Sequence, residues 1–167
     1  MPNWCSNSIT ISAVETADVK KFVEFLEERD GKEWFDFFRP TPKELTENDS
    51  QGWYDWNVDN WGTKWNPDAQ DWSVDEDFVS VSFWFDSAWS PPLELYKFIT
   101  ENTDFSVEAE YCEEGIGFVG RFIDGEEETY EYDDLDDLDD IPEELVENWN
   151  LREKMADWEE DEENDEK

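Results

Sequence analysis

An α+β fold built on an antiparallel sheet is predicted by three features of the sequence. Segments of strict polar–apolar alternation recur along it, two helical patterns each follow such a segment, and an Asp-Gly pair joins two strand-like runs near residue 124. Ser8-Ile9-Thr10-Ile11-Ser12-Ala13 alternates and reads as a half-buried strand. Thr16 is placed to cap a helix whose Val19, Phe22, Val23 and Leu26 recur at helical spacing and which ends before Gly31. An aromatic patch (Trp34, Phe35, Phe37, Phe38) and a loop punctuated by Pro40 and Pro42 lead into residues 53–72, dense in Trp and poor in periodicity. Val79, Val81, Phe83 and Phe85 then mark one face of a second strand, with Ser80, Ser82 and Trp84 on the other. Ser90-Pro91 opens a second helix, carrying Leu93, Leu95, Tyr96, Phe98 and Ile99.

The remainder reads as a meander and a last helix. Phe105, Val107, Ala109 and Tyr111 alternate with Ser106, Glu108, Glu110 and Cys112, a strand with an acidic outer face. Runs at 118–123 and 127–132 flank Asp124-Gly125, the pair preferred in a two-residue hairpin, which would set Arg121 opposite Glu128. Asp140 with Glu143 has capping-box spacing and predicts a single helix burying Leu145, Trp149 and Leu151 or Met155. Two strand–helix units followed by a meander suit a ferredoxin-like sheet with helices packed on one face. The prediction is one domain over residues 1–158, a Trp-rich insertion at 53–72, a C-terminal acidic helix, and a disordered acidic tail at 159–167.

Charge narrows function more than any motif. The 167 residues carry 49 acids, 12 bases and no histidine, a net charge of −37. Phosphate backbones and anionic membranes repel such a chain, so direct nucleic-acid or membrane binding is not expected. Without histidine, Ser-His-Asp and Cys-His catalysis in their usual forms are excluded, and two cysteines, Cys5 and Cys112, cannot make a four-thiolate metal site. No cofactor, metal or enzymatic activity is expected. Eleven Trp, twelve Phe and five Tyr argue against disorder, because each ring can bury on the order of 150–250 Å². The opening residues lack the basic and apolar regions of a signal peptide, and no apolar run nears the ~20 residues of a membrane span, which predicts a cytoplasmic protein.

Two motifs invite a site and fail on context. Gly115-Ile116-Gly117-Phe118-Val119-Gly120 matches G-x-G-x-x-G, yet a strand follows it where a helix N-terminus must meet the pyrophosphate. Asp55-Trp56-Asn57-Val58-Asp59 opens like a calcium loop but has Asn60 in place of glycine and Asn66 in place of the bidentate Glu. The acids are also unevenly placed: residues 1–100 hold 20 acids and 8 bases, residues 101–167 hold 29 and 4. Ten carboxylates fall between Glu126 and Asp140, where Leu135, Leu138 and Ile141 are spaced to pin the segment to the body.

Met1-Pro2-Asn3-Trp4-Cys5-Ser6-Asn7 and the stretch from Trp53 to Asn66 resemble the YubB ferredoxin-like family of bacteriophage, prophage and plasmid proteins. The likeness spans roughly residues 1–125; the acidic C-terminal third lies outside it. It implies a ferredoxin-like domain in the bacterial cytoplasm and no established activity. Within the motif, Trp4, Trp53, Trp56, Asn60, Trp61, Lys64 and Trp65 are expected to be structural. Lys64 is expected to lie on aromatic faces and pair a buried acid, and Asn60 to tie loop backbone.

The function expected from charge is nucleic-acid mimicry. Duplex DNA carries one charge per about 1.7 Å, so 37 net charges match roughly 60 Å of duplex, against about 40 Å across a domain of this length. The acidic surface expected to meet the basic nucleic-acid-binding groove of a host protein comprises Glu108, Glu110, Glu126, Glu128, Asp133, Asp134, Asp136, Asp137, Asp139 and Asp140. The alternative is a protein-binding module with a Trp-rich surface, its acidic shell serving solubility only.

Overall fold

The computed structural model describes residues 3–47 and 52–165, with backbone alone for 160–165. Six strands form one antiparallel sheet in the order β2-β3-β1-β4-β5-β6, comprising β1 (Trp4–Ala13), β2 (Gln70–Val74), β3 (Ser80–Ala88), β4 (Phe105–Glu113), β5 (Phe118–Ile123) and β6 (Glu126–Glu131). The predicted α+β architecture and its closing meander are therefore present. β1 occupies the middle, pairing Ile9 with Phe83 on one side and Ala109 on the other. At the hairpin Ile123 pairs Glu126, Asp124 and Gly125 both have positive φ, and Arg121 faces Glu128 as predicted.

Alternation sends Ile9, Ile11, Val81, Phe83, Phe85, Val107, Ala109 and Phe122 to one face. There they meet helix α1 (Thr16–Arg29) through Val19, Phe22, Val23 and Leu26, and α4 (Leu93–Asn102) through Leu95, Tyr96 and Ile99. A 3-10 turn at Trp34–Phe37 drives Trp34 and Phe35 into the same core, where Trp34 stands edge-on to Phe35, Phe83 and Phe85 at 4.7, 5.1 and 5.2 Å.

Three elements differ from expectation. After the one-turn helix α2 (Lys43–Thr46), the insertion folds as helix α3 (Gly52–Trp61), with edge strand β2 at its far end. The predicted last helix is two, α5 (Glu143–Asn148) and α6 (Leu151–Asp165), because Asn150 at φ 53° turns the chain left-handed between them. Its start is capped by no side chain, so Asp140 does not fill the predicted role; Pro142 precedes the first turn. Residues 159–165, expected to be disordered tail, continue α6, in keeping with the helix propensity of Glu. Residues 166 and 167 lie outside the described residues.

α5 and α6 lie on the face of the sheet opposite α1 and α4. They close a second core of Cys112, Val119, Tyr132, Leu138, Ile141, Leu145, Val146, Trp149, Leu151 and Met155, with Leu135 packed against it. Leu135, Leu138 and Ile141 thus pin the acidic segment as their spacing predicted.

Candidate functional site: the acidic face of the sheet

The second core covers only part of that face. β1 presents Ser6, Ser8, Thr10 and Ser12 there, and β3 presents Ser80, Ser82, Trp84 and Asp86. Thr10 and Ser82 share a 2.8 Å hydroxyl contact, and Ser6 donates to Asp86 at 2.8 Å. In register with this hydroxyl ladder stand Glu108 and Glu110 of β4, then Arg121 of β5, then Glu126 and Glu128 of β6. Arg121 faces Glu110 on one side and Glu128 on the other, donating Nε to Glu128 at 2.7 Å, with Glu144 of α5 at 3.9 Å. One guanidinium thus sits among several carboxylates. Ser8, Thr10, Glu108, Glu110, Ile123 and Glu144 line a trough of about 240 Å³.

The aspartate segment hangs on the same side through the second core. Asp134 accepts the backbone N–H groups of Asp136 and Asp137 at 3.0 and 3.1 Å, and Asp137 accepts those of Asp133 and Asp134 at 2.8 and 3.3 Å. These two carboxylates shape their own turn, as short acidic side chains do. Asp139 pairs with Arg152, while Asp133, Asp136 and Asp140 stand exposed. Of the ten acids picked from sequence, all but Glu110 and Asp137 are exposed, and Glu110 takes both N–H bonds of the Asn148 amide.

The tryptophan motif divides between core and surface. Trp61 is buried and donates Nε1 to the Arg39 carbonyl at 2.8 Å; Trp56 packs edge-on against it at 5.8 Å, and Trp53 is half-buried. Trp4 and Trp65, expected to be structural, are 50% and 39% exposed. Lys64 lies 4.5 Å over the Trp65 ring, with Tyr54 and Trp89 at 5.6 and 5.7 Å, as the cation–π expectation required. It forms no ion pair among the described residues, so the expected pairing with a buried acid is absent; Asp55 lines the same hollow without an ion pair to it. Asn60 bonds back to the Trp56 carbonyl inside α3 and ties no loop. That task falls to Asn57 and Asn66, which the sequence marks only as parts of the failed calcium loop. Asn57 joins Thr41 to the Lys64 carbonyl, and Asn66 joins the Phe35 N–H to Asp36. Both follow a tryptophan or precede a proline within the dense stretch, which was the available signal.

The glycine motif is the β4–β5 connection, as its flanking residues implied. Gly117 has φ +86°, and a Cβ at Gly120 would collide with the Glu128 carbonyl and the Tyr111 ring. Glu113, just before it, is 1% exposed, its two oxygens taking the N–H groups of Gly115 and Ile116 at 2.8 and 2.6 Å. Cys5 and Cys112 are both free and buried. Burial pushes the Cys5 thiol far up and that of Cys112 up to about 11, so neither supplies thiolate at neutral pH. A disulfide-exchange reagent at pH 8 is expected to release almost nothing from the native protein and two equivalents after unfolding. Rapid native release would contradict this packing.

Among the described residues no group of three or more His, Cys, Asp or Glu is placed to hold a metal ion, and no helix is long and apolar enough to cross a membrane. Fold and face together define a ferredoxin-like α+β protein whose free sheet surface is hydroxyl-lined and acidic. The chain belongs to the family described as the ferredoxin-like domain in Api92-like protein, whose model matches residues 60–164. That match runs through the acidic third, which is therefore part of the family's domain and not an appendage to it. The chain matches no curated protein and no solved structure.

Proposed function

We propose that this chain is a non-enzymatic protein of a phage or mobile element whose acidic sheet face imitates nucleic acid and occupies the basic groove of a host defence or DNA-processing protein. The habitat rests on the YubB resemblance of residues 1–7 and 53–66. The mimicry is carried by one observation: Glu108, Glu110, Glu126 and Glu128 share a single face of a hydrogen-bonded sheet. Alternate residues on a strand lie about 6.6–6.8 Å apart, near the intrastrand spacing of phosphates. Because the backbone ladder fixes the spacing of those rows, only side-chain rotamers remain to be ordered when a cationic groove closes over them.

The test is capture of partners from a bacterial host lysate at low and high salt, with duplex DNA as competitor. Binding is expected to weaken steeply with salt, to yield to DNA, and to fall about tenfold or more when Glu108, Glu110, Glu126 and Glu128 all become Gln. Unchanged capture by a folded quadruple variant overturns the proposal. A second reading is favoured by the exposure of Trp4, Trp65 and Trp89: a surface anchored on tryptophan, whose binding tolerates salt and is lost on Trp89→Ala.

A further inference from the structure

Where β1 begins, the acidic face ends in an aromatic cleft. Trp4 has the same side-chain parity as Ser6, Ser8 and Thr10, and Asp86 and Gln70 flank it from β3 and β2. The Trp65–Asp68 loop, which follows α3, closes the other wall. The ring centroids of Trp4 and Trp65 are 6.0 Å apart and their planes are inclined by 38°, so the rings form an open wedge. Its volume is about 340 Å³, with Ala88 and Pro67 as apolar lining and Asp68 and Asp86 as acids.

We infer that this cleft takes the guanidinium group of an arginine side chain presented by a protein partner. Three observations converge on that chemistry. First, the aromatic faces attract cations: Lys64 already lies over Trp65 from outside the cleft. Second, both carboxylates are held in place by one oxygen only. Asp86 Oδ1 accepts from Ser6 and Asp68 Oδ1 from the Glu33 N–H, at 2.8 and 3.1 Å, and no protein donor among the described residues engages either Oδ2. An incoming donor therefore meets preset acceptors. Third, the charge excludes the competitors. Phosphate is repelled, and a purely apolar anchor would desolvate two carboxylates without pairing them.

Arginine is favoured over lysine by shape. A planar, weakly hydrated guanidinium stacks on indole while its edge donates to carboxylate, whereas an ammonium does one at the expense of the other. Trp84, set edge-on against Trp149 at 5.6 Å, lies on the same face two residues from Asp86, in the row that runs through Ser8 to Glu110. A partner spanning the face would meet the glutamate rows on β4 and β6 and a discrete arginine socket at the start of β1. That the arginine belongs to a protein rests on the mimicry proposal; the cleft's affinity for guanidinium does not.

The test is a titration of the full chain with acetyl-Gly-Arg-Gly-amide, followed by the indole N–H resonances at physiological ionic strength, about 0.15 M. Matched peptides carrying lysine or citrulline serve as controls. Saturable shifts are expected at Trp4 and Trp65, stronger for arginine than lysine and absent for citrulline. Trp4→Ala, and separately Asp68→Asn with Asp86→Asn, are expected to weaken arginine binding about tenfold, while Trp4→Phe retains most of it. Should the Trp4→Ala chain lose its fold, the Asn pair and Trp4→Phe carry the comparison. Shifts spread evenly over the acidic surface, equal binding of citrulline, or unchanged affinity in the Asn pair overturns the inference. Peptide binding that survives while the glutamate quadruple variant still captures its partner would overturn the mimicry and leave the socket standing.

Discussion

Trp34→Ala is expected to destabilise the protein by about 3–5 kcal/mol, the range for emptying a buried aromatic site. Trp34 is fully buried and meets Phe35, Phe83 and Phe85 edge-on, so it joins the 3-10 turn to β3 and nothing nearby can collapse into its place without moving the sheet. At about 2–4 °C per kcal/mol for a chain of this size, the melting temperature should drop by on the order of 10 °C. Urea unfolding followed by near-ultraviolet circular dichroism measures it directly. Trp34→Phe should cost clearly less, since the indole Nε1 has no hydrogen-bond partner to lose. A loss under about 1 kcal/mol for the alanine variant would show that the ring cluster does not anchor this side of the sheet.

Residues 60–167, which contain the whole family match, are expected not to fold alone. β3 and β4 both lie inside the match, but β1, from outside it, pairs with each of them and separates them. Removing residues 1–59 would strip Ile9, Ile11, Val19, Phe22, Leu26, Trp34 and Phe35 from the main core and leave β3 and β4 each without a partner on one side, splitting the sheet into β2-β3 and β4-β5-β6. The fragment should show no near-ultraviolet aromatic signal and no cooperative melt. A sharp transition from it would mean that β3 and β4 can find another pairing.

These two expectations mark what the sequence made legible. Strict alternation revealed β1, β3 and β4, since each has one face on the core and one on solvent. Asp124-Gly125 revealed the β5–β6 turn, because few residue pairs tolerate two consecutive positive φ values. α3 stayed hidden for a physical reason. Its two fully buried side chains are Trp61 and Asn57, so half of its inward face is polar and no hydrophobic stripe appears. β2 is short, mostly exposed and interrupted by a register shift against β3, which erases its period. The break at Asn150 rests on one left-handed residue that apolar spacing does not encode. At the candidate site, the shared face of Glu108, Glu110 and Glu128 followed from strand parity and the hairpin register. The turn-forming work of Asp134 and Asp137, and the meeting of Trp4 with Trp65, depend on contacts between segments that only the folded chain brings together.

β6 ends the sheet and is Glu-Glu-Glu-Thr-Tyr-Glu, with carboxylates pointing to both sides. A bare strand margin is a template on which a second molecule can stack, and charge of one sign is a common guard against it. Glu126 and Glu128 are therefore placed to guard this edge against a second copy, and under the mimicry proposal they also belong to the surface that meets a partner. On that proposal, recognition and colloidal behaviour would be coupled through the same few side chains, and neutralising them would cost edge protection along with binding.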